Sequence, residues 1–247
     1  MSRAAVVPRF FVPDEFEPGG HIVVGEDAAR HMRVLRLGAG AKVALLNGSG
    51  ARAASTLRTL ARRNATIDVD DVEQIDRPPQ VHALVPVADR DRMLWLAEKC
   101  AELALSSWRP VLWKRSRSVV PRGEGGGFHT RVRARMASAL EQSGGAWLPE
   151  TYPDATPERA VASLPEGTRL VMDVDGAPIA RIVRDVHAPV TIAIGPEGGF
   201  DDAELSALED GGFQRVSLGP QILRFETAGV VALAHVRATL AEREITP

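Results

Sequence analysis

The sequence predicts an α/β protein in two parts: a small β-rich domain over residues 1–76, and an α/β domain over residues 80–247 with a mainly parallel sheet. Three observations predict it. Before Arg77-Pro78-Pro79-Gln80 the apolar segments are short and bounded by turn residues; after it, strand-like and helix-like segments alternate. The double proline between the two regions interrupts helix and sheet alike. Val190-Thr191-Ile192-Ala193-Ile194 is apolar almost throughout, as expected of a strand covered on both faces.

In the first part, residues 10–12, 21–24, 41–46 and 65–69 are the expected strands, with a turn at Asn47-Gly48-Ser49-Gly50. Residues 26–35 form one short helix, with Ala28, Ala29, Met32 and Leu35 on a face. The whole reads as a small β-barrel-like domain. In the second part, strands are expected at 81–87, 111–113, 170–174, 190–194 and 215–218. Helices are expected at 92–105, 131–142, 202–210 and 226–243, the third closed by Gly211-Gly212. A loop is expected over residues 123–127, which are Gly-rich.

Composition narrows the function. The 247 residues are 45% hydrophobic and 25% charged, ordinary values for a globular protein. Thirty Lys+Arg against 32 Asp+Glu exclude a globally basic nucleic-acid binder, but not a local basic patch. Between Arg109 and Arg135 stand eight cations (Arg109, Lys114, Arg115, Arg117, Arg122, Arg131, Arg133 and Arg135), opposed only by Glu124. That imbalance makes RNA phosphate the preferred reading over a merely solvated face. Cys100 is the single cysteine, so no intrachain disulfide forms; it sits at an apolar helix position and reads as core. Six scattered His give no zinc-ligand spacing, and no metal is expected. No apolar run approaches the roughly 18 residues of a membrane span, and the N-terminus has no secretory core. A cytoplasmic, non-membrane protein is expected.

Three loops carry most of the chemistry: Asp175-Gly176, Gly195-Pro196-Glu197-Gly198-Gly199-Phe200 and Leu218-Gly219-Pro220. Each follows an expected strand, where α/β sheets bind ligands. The usual phosphate loops are absent. No Lys-Ser/Thr follows Gly198-Gly199, and the glycines do not fall in G-x-G-x-x-G order. Glu197, Asp201 and Asp202 would repel a phosphate, so a neutral or cationic ligand is expected.

The segments 194–200 and 218–228 resemble the paired C-terminal motifs of the RsmE-type ribosomal RNA methyltransferases. Other pieces match in order. His31-Met32-Arg33-Val34-Leu35-Arg36 resembles that family's H-x-x-V-L-R. Lys99-Cys100-Ala101-Glu102-Leu103 resembles K-x-x-E-L-G, Arg115-Ser116-Arg117-Ser118 the Arg-Ser strand end, and Glu141-Gln142-Ser143-Gly144 the E-Q-S-G-R motif. This chain departs from the pattern at Ala104, Gly145, Gln221 and Phe225, where the family usually has Gly, Arg, Arg and a small or hydroxylic residue.

The resemblance implies a PUA-like N-terminal barrel for RNA and a SPOUT-type domain with a trefoil-knotted parallel sheet and helices on both faces. It implies a homodimer that methylates N3 of one uridine in 16S (small-subunit) ribosomal RNA with S-adenosyl-L-methionine. The cofactor would be held by Met172, Asp173, Gly176, Gly195, Pro196, Glu197, Gly198, Gly199, Leu218, Gly219, Ile222, Leu223 and Thr227. Apart from the resemblance, the local charge imbalance and the arginines of the first part assign RNA contact to Arg9, Arg33, Arg36, Arg115, Arg117, Arg131 and Arg135.

Uridine N3 must lose a proton, so a base, or a cation that stabilises the imidate, is needed. Arg224 is the first candidate; the competing role is an ion pair with Glu226 or Glu197. Glu102 is a catalytic candidate or a surface carboxylate. Gln142 reads the uracil edge or faces solvent, and Glu141 and His31 read as surface and packing residues. Two rival functions stay open: a non-catalytic RNA-binding or ribosome-assembly factor, and a small-molecule enzyme using the glycine loops.

Overall fold

A computed structural model describes residues 7–116 and 126–245. Arg117, Arg122 and most of the expected 123–127 loop lie outside the described residues. The chain divides into two compact units, Met1–Arg77 with Ala137–Leu148, and Pro78–Met136 with Pro149–Pro247. The break falls at the double proline. Ala137–Leu148, which the sequence places in the second domain, groups with the first unit. Long-range contacts hold it there: the Trp147 indole N–H donates to the Ile75 carbonyl at 3.0 Å, and the Phe11 N–H donates to Glu141 Oε1 at 2.8 Å. No local pattern announces such contacts.

The first unit contains β1 (Arg9–Phe11), β2 (His21–Val24), α1 (Glu26–Val34), β3 (Lys42–Leu46), β4 (Ala51–Leu60) and β5 (Ala65–Gln74). The sheet order is β1-β3-β4-β5-β2, with β1 and β3 parallel and the other pairs antiparallel. β4 is absent from the sequence expectation because Ala, Arg and Ser are weak strand formers. Its alternation is nonetheless clean: Ala51, Ala53, Ser55 and Leu57 are buried, and partners on both sides satisfy its backbone. Phe10, Met32, Leu45, Leu57 and Ile67 fill the core. α1 starts with Glu26 and Asp27, favourable at the positive helix end, and stops at Leu35. Arg36 follows in the left-handed region (φ 56°), and the Leu37 N–H closes back on the Met32 carbonyl at 3.0 Å.

The second unit runs β6 (Val81–Pro86), α2 (Arg90–Glu102), β7 (Ser107–Val111), α3 (Gly127–Ser143), β8 (Glu150–Thr151), α4 (Pro157–Ala162), β9 (Thr168–Pro178), α5 (Ile179–Ile182), a single 3₁₀ turn (Val183–Asp185), β10 (Val190–Ala193), α6 (Asp202–Asp210), β11 (Phe213–Ser217) and α7 (Phe225–Ile245). The end of α3 belongs to the first unit. The sheet order is β11-β9-β10-β6-β7-β8, and every neighbouring pair is parallel. All four β10 residues are buried, which is why the segment is apolar on both faces. On one face Leu84, Val171 and Ala193 pack with Ala160 of α4 and Leu208 of α6. α2 and α7 pack together, with α7 against β6 and β10.

Two strands differ from expectation. β7 lies at 107–111, ahead of the expected 111–113, with Ser107 beside His82 and Val111 beside Pro86. Pro110 argues against a strand by sequence; it is tolerated because β8 pairs only with Ser107 and Trp108 and ends before it. β9 continues through the expected turn at Asp175-Gly176. Its register against β11 jumps from Val171↔Arg215 to Ala177↔Val216, so residues 172–176 bulge between two paired stretches.

Candidate functional site

A cleft of about 430 Å³ opens at the β9 bulge and beyond the carboxyl ends of β10 and β11. β9 contributes Met172, Asp173, Val174 and Asp175. The segment after β10 contributes Ile194, Gly195, Pro196, Glu197, Gly198, Gly199 and Phe200. β11 and the segment after it contribute Arg215, Val216, Leu218, Gly219, Gln221, Ile222, Leu223 and Phe225. Of the thirteen residues expected to hold a ligand, Gly176 and Thr227 do not line the cleft. A Cβ at Gly176 would stand 2.5 Å from the Val216 nitrogen, so this glycine serves the close approach of β9 to β11. Thr227 is exposed on the first turn of α7, and Ala228 lines the cleft beside it.

Each loop has a local cause. In the β9 bulge, Asp173 Oδ1 accepts the Asp175 N–H at 3.1 Å. After β10, the Gly199 N–H donates to the Pro196 carbonyl at 2.8 Å, which closes a four-residue turn. The Phe200 ring then folds back over Gly195, where a Cβ would stand 2.9 Å from the ring. Asp201 caps α6, accepting the Glu204 N–H at 2.8 Å while Glu204 accepts the Asp201 N–H at 3.0 Å. Lys114 Nζ donates to Asp201 Oδ2 at 2.5 Å. That bond, with the Glu204 N–H second, holds the Asp201 carboxyl below its ordinary value, and the same bond raises Lys114. After β11, Gly219 sits at φ +139°, a conformation that side chains rarely adopt.

The charged side chains lining the cleft are Asp173, Asp175, Glu197 and Asp202 against Arg215. This balance favours a cation over a phosphate. Two arginines that line no part of the cleft grip its central turn. Arg115 Nη1 donates to the Gly198 carbonyl at 2.9 Å and to the Phe200 carbonyl at 3.1 Å. Arg92 Nη1 donates to Glu197 Oε1 at 2.5 Å, with its Nε 3.8 Å from Glu226 Oε1. Arg115, expected on RNA, is exposed and uses Nη1 to hold this turn. Arg92 was not singled out by sequence. Its only local signal is a cation in the first turn of a helix, where the dipole disfavours one.

The three expected catalytic residues are not brought together at the cleft. Arg224 is exposed just before α7, and its side chain makes no hydrogen bond or ion pair with described residues. Glu102 ends α2, bound to Lys99 Nζ at 2.6 Å. Gln142 is exposed in the first unit, where its carbonyl accepts from Arg9 Nη1 at 3.1 Å. Glu141 is a half-buried acceptor for Phe11, not a surface carboxylate, and burial raises its carboxyl above the ordinary value. His31 is exposed, its ring edge-on to Phe10 at 5.5 Å.

Among the other expected RNA contacts, Arg33 Nη1 donates to the Ala61 and Arg62 carbonyls, both at 2.8 Å. Arg131 lies 5.7 Å from the Phe128 ring centroid, and Arg135 reaches Glu98 at 3.4 Å. Cys100 is buried in the α2 core, and burial pushes its thiol well above the ordinary range. Among the described residues, no group of three or more His, Cys, Asp or Glu is placed to hold a metal, and no helix is long and apolar enough to cross a membrane.

Comparison with known proteins places this geometry in a family. Residues 76–237 match the RNA methyltransferase domain, and residues 24–70 match the RNA methyltransferase PUA domain. The ribosomal RNA small subunit methyltransferase E of Synechocystis sp. is 32% identical over 216 residues, covering 84% of this chain and 69% of that protein. The Rickettsia conorii protein of the same name is 25% identical over 246 residues, covering 93% and 94%. The crystal structure of the Neisseria gonorrhoeae ribosomal RNA small subunit methyltransferase E, bound to S-adenosyl methionine, superposes with a TM-score of 0.86 at 26% identity, covering 94% and 97% of the two chains. The parallel sheet, the three converging strand-end loops and these matches agree: the chain belongs to the RNA methyltransferase family of the small-subunit methyltransferase E type.

Proposed function

We propose that this protein methylates small-subunit ribosomal RNA with S-adenosylmethionine, at N3 of a uridine. The observation that carries the reading is the convergence of the β9, β10 and β11 loops on one cleft whose charged lining is mostly acidic. The residues fit the cofactor. Gly195 leaves the room that the Phe200 ring and a ligand must share, and Asp175 and Asp202, which make no ion pair among the described residues, suit a positive sulfur. When bound, the cofactor supplies an electrophilic methyl group. The backbone of residues 195–199 and the cleft-lining residues after β11 would hold it, with Leu223 and Phe225 supplying apolar lining. Arg224, exposed and uncommitted among described residues, is the cation available to the imide as N3 loses its proton.

The same reading takes the segments after β10 and β11 to thread as a trefoil knot, a rare exception to unknotted connections. It takes the enzyme to be a cytoplasmic homodimer. Ile222 at the cleft lip is 87% exposed and Trp95 on α2 is 45% exposed, apolar surface that a second copy would cover. RNA phosphate falls to Arg9, Arg33, Arg36, Arg115, Arg131 and Arg135, with Arg117 expected alongside them.

The test is methyl transfer from labelled S-adenosylmethionine to small subunits lacking the modification, followed by nucleoside mass analysis. Label in 3-methyluridine is expected. Cofactor binding with no transfer to RNA would return the protein to the non-catalytic RNA-binding reading.

A further inference from the structure

We propose that Arg92 is a positioning residue that ties two of the three cleft loops together, through Glu197 on the turn after β10 and Glu226 on the first turn of α7. The proposal rests on the methyltransferase reading and deepens it, because the loops it spans are those assigned to the cofactor.

Arg92 stands in the first turn of α2, where Asp89 caps the helix and accepts the Arg92 N–H at 3.2 Å. A cation is disfavoured at that helix end. Its placement is explained by what the guanidinium reaches. Nη1 meets Glu197 Oε1 at 2.5 Å, and Nε lies 3.8 Å from Glu226 Oε1. The Arg92 and Glu197 side chains are only about one-third exposed, and Glu226 is 11% exposed. The interaction is therefore better shielded than a surface pair.

Glu226 adds an independent observation. Its Oε2 is buried and has no hydrogen-bond partner among the described residues. A buried carboxylate in that state depends on a nearby cation, and Arg92 is the cation placed beside it. One guanidinium thus serves two carboxylates that lie 29 positions apart in sequence, on either side of β11. Holding both fixes the distance between the turn at residues 196–199 and the start of α7. Six residues between β11 and Glu226 (Leu218, Gly219, Gln221, Ile222, Leu223 and Phe225) line the cleft, so that distance bears on its width. A cleft preorganised in this way spends less binding free energy on ordering its loops.

Calorimetric titration with S-adenosylmethionine and with S-adenosylhomocysteine tests this on the full-length chain. Arg92→Met and Arg92→Gln are each expected to weaken both ligands about fivefold. Arg92→Lys is expected to recover most of the loss. Melting of the ligand-free variants should stay within a few degrees of wild type. In a double-mutant cycle, Arg92→Met added to Glu197→Gln should weaken binding by clearly less than it does alone, because the shared contact is already gone. Wild-type affinity in Arg92→Met or Arg92→Gln overturns the proposal, as do losses that multiply independently in the cycle. A wild-type protein that binds neither ligand instead overturns the methyltransferase reading on which the proposal rests.

Discussion

Arg215 donates to Asp173 through Nε at 2.7 Å and Nη2 at 2.6 Å, across the point where β11 loses register with β9. The other Asp173 oxygen accepts the Asp175 N–H. Both oxygens of this carboxylate are therefore engaged in shaping the bulge that forms one wall of the cleft. Arg215→Met should leave an 11% exposed carboxylate without its cation and lower stability by about 1–2 kcal/mol. Cofactor affinity should fall with it. Urea denaturation and calorimetry on the same variant check both, and unchanged values would mean the bulge holds without the pair.

Ala104 occupies φ 55°, in the left-handed region, at the end of α2. The Leu105 N–H closes on the Cys100 carbonyl at 2.9 Å, and Arg237 of α7 donates to the Ala104 carbonyl. The backbone is thus held in a conformation that costs an L residue roughly 1–2 kcal/mol, part of which a glycine returns to unfolded-state entropy. Ala104→Gly should stabilise the protein by about 0.5–1 kcal/mol, read as a higher denaturation midpoint at unchanged m-value.

Asp201 gives a pH dependence with a definite sign. Its folded carboxyl lies below the ordinary value of 3.8, chiefly because Lys114 donates to it. A depressed carboxylate stabilises the folded state fully above its unfolded pKa and loses that contribution as pH falls through the folded value. Asp201→Asn keeps an α6 cap but removes the titration. The gap in stability between wild type and Asp201→Asn should therefore be constant near neutrality and shrink below about pH 4. Denaturation midpoints across that range would show it, and a gap that widened in acid would contradict the assignment.

The sequence announced the elements whose signals are local. α6 begins after Asp201 and ends before Gly211 as expected, because a capping box and a glycine pair act within one turn. The glycine loops were legible because they follow apolar strands. β4 was not, since its inward face is Ala51, Ala53 and Ser55, whose burial depends on partners rather than on their own propensity. Charge counting marked Arg115 as an RNA contact and passed over Arg92. A count of cations carries no information about which carbonyl or carboxylate each one meets, and Gly198, Phe200 and Glu197 reach them only in the folded chain.

Arg224 and Arg131 should separate by kinetics. Arg224 is exposed at the start of α7 beside the cleft-lining Leu223 and Phe225, whereas Arg131 lies on α3 against Phe128. Arg224→Ala should lower the methylation turnover more than RNA affinity. Arg131→Ala should weaken RNA binding and reduce its salt slope by about one unit, with cofactor affinity unchanged. Methylation kinetics and RNA binding at several salt concentrations distinguish them, and loss of RNA affinity alone in Arg224→Ala would make its role positional.

Calorimetric titration of S-adenosylmethionine into Gly195→Val and Gly219→Val tests the placement of the cofactor most directly. A side chain at 195 meets the Phe200 ring at 2.9 Å, and one at 219 is forced to φ +139°. Both substitutions strike loops that line the cleft and leave the sheet pairing untouched. The account predicts folded proteins by circular dichroism with no measurable cofactor binding. Wild-type affinity in both would place the cofactor elsewhere.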